Sequence, residues 1–233
     1  EGSGIRTASS ANYYRRIIDH PLFSSVDKAI TFRARYLYYQ AKTAYCYIGD
    51  LANLHHYAKK TVQLFEDHPQ HIEANLAEYH ASLQNFIGYC VHAGRYEEID
   101  SVIEKLKKLA LRSKHLQYKS FHTINYLLMT MHANTGRFDK GVELIVKIQK
   151  EMQDLGIGNL QKKTVLEFNY HFACIYMGSG NYSEANVSLN KIINDPVDIR
   201  YDIYCFAKIL SMIVHYEMGN ETLLEYIVKS TYR

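Results

Sequence analysis

A glycine-led phrase recurs five times along this chain of 233 residues and constrains its fold more than any other feature. It reads Gly49-Asp50-Leu51, Gly94-Arg95-Tyr96, Gly136-Arg137-Phe138, Gly180-Asn181-Tyr182 and Gly219-Asn220-Glu221, at intervals of 45, 42, 44 and 39 residues. Self-similarity at a period of roughly 20–50 residues is the mark of stacked helical or β repeats. Each glycine stands between two apolar patterns of helical period. That places it at the C′ position of a helix, where the backbone turns left-handed and a Cβ would clash.

The periodic stripes define five helix pairs. In the first, Ile30, Ala34, Leu37, Ala41, Ala44 and Ile48 recur in steps of three and four, and Leu54, Ala58, Val62 and Phe65 follow the glycine. Leu83, Phe86, Ile87 and Cys90, then Ile99, Ile103, Leu106 and Leu109, mark the second. The third uses Phe121, Ile124, Leu127, Leu128 and Met131, then Val142, Ile145 and Ile148. The fourth uses Phe168, Phe172, Ile175 and Tyr176, then Ala185, Leu189 and Ile192; the fifth uses Ile203, Phe206, Leu210 and Ile213, then Leu224, Ile227 and Val228. No stretch alternates at period two for long enough to make a strand. Pro21 ends a short N-terminal helix at His20, because a residue before proline is driven out of the α region. Pro69 and Pro196 are read as closing repeats.

These observations predict an all-α fold: a right-handed superhelical solenoid of antiparallel helix pairs, about five repeats plus an N-terminal helix. Residues 1–10 read as a disordered linker or tag remnant, and 11–233 as one solenoid domain. The abrupt ends suggest a piece of a longer chain. The Gly156-Ile157-Gly158-Asn159 segment reads as an inter-helix loop, because it lacks the third glycine and preceding strand of a phosphate-binding fingerprint.

The phrase and its surroundings resemble the tetratricopeptide repeat family, over about Ile30 to Arg233. Asn181-Tyr182-Ser183-Glu184-Ala185, closing at Pro196, carries the resemblance best, and Gly136-Arg137-Phe138 with Gly141 is next. In that family a small residue follows the aromatic by three positions; Leu54, Ile99 and Leu224 depart from this, and the period exceeds the usual 34. The chain resembles a lengthened, bacterial-type variant of the family. The resemblance implies a concave wall built from first helices. Counting back from each turn glycine places Tyr36, Tyr39, Gln40 and Tyr47, then Gln84, Asn85 and His92, then Tyr126, Thr130 and Asn134, then Glu167, Tyr170 and His171 on that wall. The first helix of the fifth repeat contributes Phe206, Ile209, Leu210, Ile213, Tyr216 and Glu217. So counted, the wall holds no Lys or Arg, which argues against clamping a terminal carboxylate, a task for charge-assisted donors. Tyrosines and amides suit an extended peptide backbone. The alternative is that these tyrosines pack between the lengthened helices.

Other chemistry finds little support. The net charge is +3 with mixed signs, so no polyanion partner is implied. Lys105, Lys107, Lys108, Arg112 and Lys114 cluster where a helix C-terminus favours cations. The four cysteines, Cys46, Cys90, Cys174 and Cys205, lie in apolar stretches without a C-x-x-C pair and read as reduced, buried thiols, consistent with a cytoplasmic setting. The twelve histidines show no metal-ligand spacing: His68 and His71 straddle a helix break, and His55 and His56 face different ways. No catalytic motif, signal peptide or membrane-length apolar run is present. No cofactor, nucleic acid or membrane is expected as a partner. The expected function is a non-enzymatic protein–protein interaction scaffold that binds a partner's peptide or helix in its groove. Two alternatives remain open: a sensory segment of a larger signalling protein that recognises a small peptide, and self-assembly through the terminal helix.

Overall fold

The structure, a computed structural model, describes residues 12, 15–46, 50–155, 162–194 and 200–231. Every regular element among them is helical. After the helical residues 15–18 come two 3-10 turns, Pro21–Phe23 and Val26–Lys28. His20 is extended (φ −64°, ψ 139°), as its following proline requires. Eleven α-helices then follow: α1 Phe32–Cys46, α2 Leu51–Glu66, α3 Pro69–Ala74, α4 Leu76–His92, α5 Ile99–Ala110, α6 Lys114–Asn134, α7 Phe138–Asp154, α8 Lys162–Gly178, α9 Tyr182–Ile193, α10 Tyr201–Glu217 and α11 Glu221–Thr231.

The chain divides into two compact units, residues 1–120 and 121–233, with the boundary inside α6. In the first unit α2 packs on α1 and α4, and α4 packs on α5. In the second α8 packs on α7, α9 and α10, and α10 packs on α11.

The glycine phrases terminate helices by their main chain. Gly94, Gly136, Gly180 and Gly219 all have positive φ, between 66° and 76°. At Gly136 the amide donates to Ala133 O (3.2 Å) and that of Arg137 to His132 O (3.0 Å). This pair of bonds is the Schellman motif, which satisfies carbonyls that the ended helix leaves free. Arg95, Asn181 and Asn220 make the same 6→1 bond to Cys90, Tyr176 and His215. Gly49, the 156–159 loop and Pro196 lie outside the described residues.

Two sequence expectations change. Pro69 does not close a repeat; it occupies the first turn of α3, where its missing N–H is not needed. The stripe expected to bury α1 is largely outside: Ile30 is 85% and Leu37 50% exposed, while Tyr36, Thr43 and Cys46 are buried. A second stripe runs through Phe32, Tyr36, Thr43 and Cys46 at the same helical spacing. Phe32 and Tyr36 both meet Phe65 of α2 edge to face, at 5.1 and 5.6 Å between centroids. The larger apolar area of the aromatics decides which stripe turns inward.

The core of the second unit joins Phe121 and Met129 of α6 to Ile145 and Ile148 of α7, Phe168, Phe172 and Ile175 of α8, Leu189 and Ile192 of α9, and Val214 of α10. Small polar residues enter the interior at little cost because they bond within their own helix. Thr43, Thr61, Ser82, Asn125 and Asn169 each donate to the carbonyl four residues back.

Candidate functional site

The second unit contains a recess of about 210 Å³ lined by Tyr126, Glu167, Tyr170, His171, Arg200, Asp202, Ile203 and Phe206. Its residues come from three helices and the entry to one of them. Tyr126 is on α6; Glu167, Tyr170 and His171 span just over one turn of α8; Arg200 caps α10, with Asp202, Ile203 and Phe206 in its first turns.

Glu167 anchors the polar side. It is only 6% exposed. One carboxylate oxygen accepts from Arg200, and the other is 3.0 Å from His122 Nε2. Burial alone would raise its pKa. The hydrogen bond and charge of His122, with the charges of Lys163 and Arg200, outweigh burial and hold it below the usual carboxylate value. Arg200 also grips Asp202 with two nitrogens, Nε to Oδ1 and a terminal nitrogen to Oδ2, both at 2.9 Å. This bidentate geometry fixes the plane of the guanidinium.

The aromatic side is equally ordered. Tyr126 meets His171 edge to face at 4.5 Å, and Tyr170 flanks the same imidazole at 6.0 Å. Burial lowers the His171 pKa to about 4, against the pull of Glu167, so the ring is neutral near pH 7. Burial likewise raises both tyrosines, keeping their hydroxyls protonated. The recess therefore offers flat apolar surface with neutral polar tips, above an arginine already engaged by two carboxylates.

The counted wall residues separate into groups. Tyr126, Tyr170, His171 and Glu167 converge on this recess. Thr130 spends its hydroxyl on Tyr126 O (2.9 Å). Asn134, Gln84, Asn85 and His92 are exposed, and Gln40 is half-buried. Tyr36 packs into the first unit's interior, which is the inter-helix alternative for that tyrosine. Tyr39 lines a separate recess of about 190 Å³ with Arg35, Lys60, Gln63 and Asp67. Tyr47 lies outside the described residues.

Arg200, which is not among the counted wall positions, also lines this recess. Counting back from Gly219 does not reach Arg200, which caps the helix rather than standing on its face. The readable signal was Arg200-Tyr201-Asp202, whose i, i+2 spacing at a helix start lets the two charges pair. The basic cluster near the end of α5 is partly neutralised: Lys105 pairs with Glu66 at 2.6 Å, Lys107 with Glu104 at 2.8 Å, and Arg112 with Glu73.

Beside the recess, α10 carries a ridge of uncovered apolar side chains. Phe206, Ile209, Ile213 and Tyr216 are 55%, 46%, 43% and 70% exposed. They follow one another at three, four and three residues, so they share one face. The opposite face, Ile203, Ala207, Ser211 and Val214, is buried. Phe206 belongs to both ridge and recess, which makes the two surfaces continuous.

Among the described residues no helix is long and apolar enough to cross a membrane. Comparison with protein-family models, curated proteins and solved structures gave no match.

Proposed function

We propose that this chain is a tetratricopeptide-like helical-repeat module, a right-handed solenoid of five helix pairs, that binds a peptide or helix of a partner protein along α10. The observation that carries the reading is the α10 ridge. A helix that is apolar on both faces is ordinarily buried on both. Here one face has a core to cover it and the other has solvent, and contiguous exposed apolar surface of this kind marks interaction sites. The ridge spacing matches the i, i+3, i+7 contacts of an amphipathic helix laid against it. The recess at its N-terminal end accepts one anchoring side chain between Tyr126, Tyr170 and Phe206, the arrangement that concentrates binding energy in an interface.

The reading is non-enzymatic. Arg200, Glu167 and Asp202 are committed to one another, and Tyr126 and Tyr170 hold their protons. These groups shape and hold a ligand. The setting this implies is a cytoplasmic scaffold.

Peptide selection on the intact chain from a displayed random library tests this. Selected binders carry apolar residues at helical spacing. They lose at least ~10-fold in affinity against Ile209→Lys and against Tyr216→Lys, both at exposed positions, while the circular dichroism is unchanged. Binders that ignore both substitutions sink the proposal.

A further inference from the structure

The fold of the first unit gathers three ligand-type side chains that the docking face does not use. His55 projects from α2, Cys90 from the last turn of α4, and Glu98 from the turn that leads into α5. One nitrogen, one sulfur and one carboxylate oxygen, drawn from residues 35 and 8 apart in sequence, all lie within 4.8 Å of one another.

We propose that His55, Cys90 and Glu98 form a three-ligand site for a divalent transition-metal ion, zinc by the chemistry of the donors, with solvent in the fourth position. Mixed nitrogen, sulfur and oxygen donors select zinc and its neighbours; a thiolate disfavours magnesium and calcium. Tetrahedral bonds of about 2.0–2.3 Å place ligand atoms roughly 3.3–3.7 Å apart. The observed cluster is within a rotamer adjustment of that spacing. His55 Nε2 and Glu98 Oε1, now 2.7 Å apart, open by roughly 0.6 Å or more and exchange one mutual hydrogen bond for two bonds to the ion.

The surroundings are those of a supported site. Lys59 Nζ holds the other carboxylate oxygen, Oε2, at 2.6 Å, and so keeps Oε1 turned toward His55. Hydrogen-bonded outer partners of this kind orient metal-binding carboxylates. The ring of Phe86 lies 5.3 Å from that of His55 and walls one side. Cys90 is fully buried at the base, while His55 and Glu98 remain partly open, which gives an ion a way in. On coordination Cys90 gives its proton to solvent, and thiolate and carboxylate together balance the two positive charges. The bound ion ties α2, α4 and the α5 entry together.

The test uses the tag-free, chelator-stripped full chain titrated with Co²⁺ and then with Zn²⁺. The expected result is one ion per chain, a thiolate-to-cobalt charge-transfer band with tetrahedral d–d bands, bleaching by zinc, and a zinc-dependent rise in melting temperature. Cys90→Ser removes the charge-transfer band, and Glu98→Gln, at a partly open position, weakens binding roughly 10-fold or more while the fold persists. An intact chain without the band, a band that survives in Cys90→Ser, or unchanged affinity in Glu98→Gln overturns the proposal. Should Cys90→Ser fail to fold, His55→Ala decides by the same affinity criterion.

Discussion

The ring of Phe138 occupies the space that a side chain at Gly178 would need: a Cβ built there falls 2.2 Å from Phe138 Cε1. One helix earlier, a Cβ at Gly141 falls 2.4 Å from Ile175 Cδ1. Gly141 has no side chain and Ile175 is fully buried, so α7 and α8 approach at a distance set by the missing side chain. Gly141→Ala and Gly178→Ala should each lower stability by about 1–3 kcal/mol through overpacking, more than the gain of about 0.5–1 kcal/mol from replacing a helical glycine. Gly88, in the middle of α4, has nothing within 4 Å of the same position, so Gly88→Ala should stabilise by about that gain. Thermal melts of the three variants check the opposite signs.

At Gly136 the space is open and the backbone is the obstacle. With φ at +66°, Gly136→Val should cost roughly 1–2 kcal/mol, and Gly136→Asn distinctly less. Equal melting temperatures for the two variants would contradict the left-handed cap.

Buried histidine makes stability depend on pH. His80 is 2% exposed, and burial, with Lys119 and His115 nearby, lowers its pKa to about 4. The unfolded value is about 6.5, so between these pH values the unfolded chain binds more protons than the folded one. His80 therefore contributes stability fully present above pH ~6.5 and lost as pH falls toward 4, with a ceiling of roughly 3 kcal/mol. His171, also lowered to about 4, acts in the same direction. Melting temperature should fall from pH 7 to pH 5, and His80→Gln should flatten that slope. A slope unchanged in the variant would remove His80 as a cause.

The thiols should differ in reactivity. Burial pushes Cys46 up to about 11 and Cys90 up to about 12, and nearby acids add to both. Thiolate is the reactive form, so alkylation at pH 8 should modify Cys46 and Cys90 only after unfolding. Cys205, which is partly open, should react first. Mass spectrometry of native and denatured samples reads the order directly.

Much of the helical plan is local and was therefore legible. A glycine after a periodic stripe encodes a left-handed cap, and four of the five phrases form it among the described residues. Stripes such as Leu54, Ala58, Val62 and Phe65 are buried as read. In α1 two stripes overlapped, and periodicity alone could not weigh Tyr36 against Leu37. The candidate sites were less legible because they arise from long-range packing. Tyr126, Tyr170 and His171 were visible through their register, whereas Arg200 joined them through a pairing with Glu167, 33 residues away. His55, Cys90 and Glu98 sit at intervals that match no ligand motif, and only the packing of α2 against α4 unites them.

The hydroxyls and amides bonded to carbonyls one turn back within their own helices have a consequence for how such a chain can drift in evolution. A buried Thr61 or Asn169 that is satisfied at home carries no instruction for the helix beside it. Those residues can be exchanged one helix at a time, without a matching change across the interface. Alignment between neighbours then rests on steric notches such as Gly141 against Ile175 and on a few distant pairs such as Glu167 with Arg200. Those are the positions at which a substitution on one helix calls for a reply on the next.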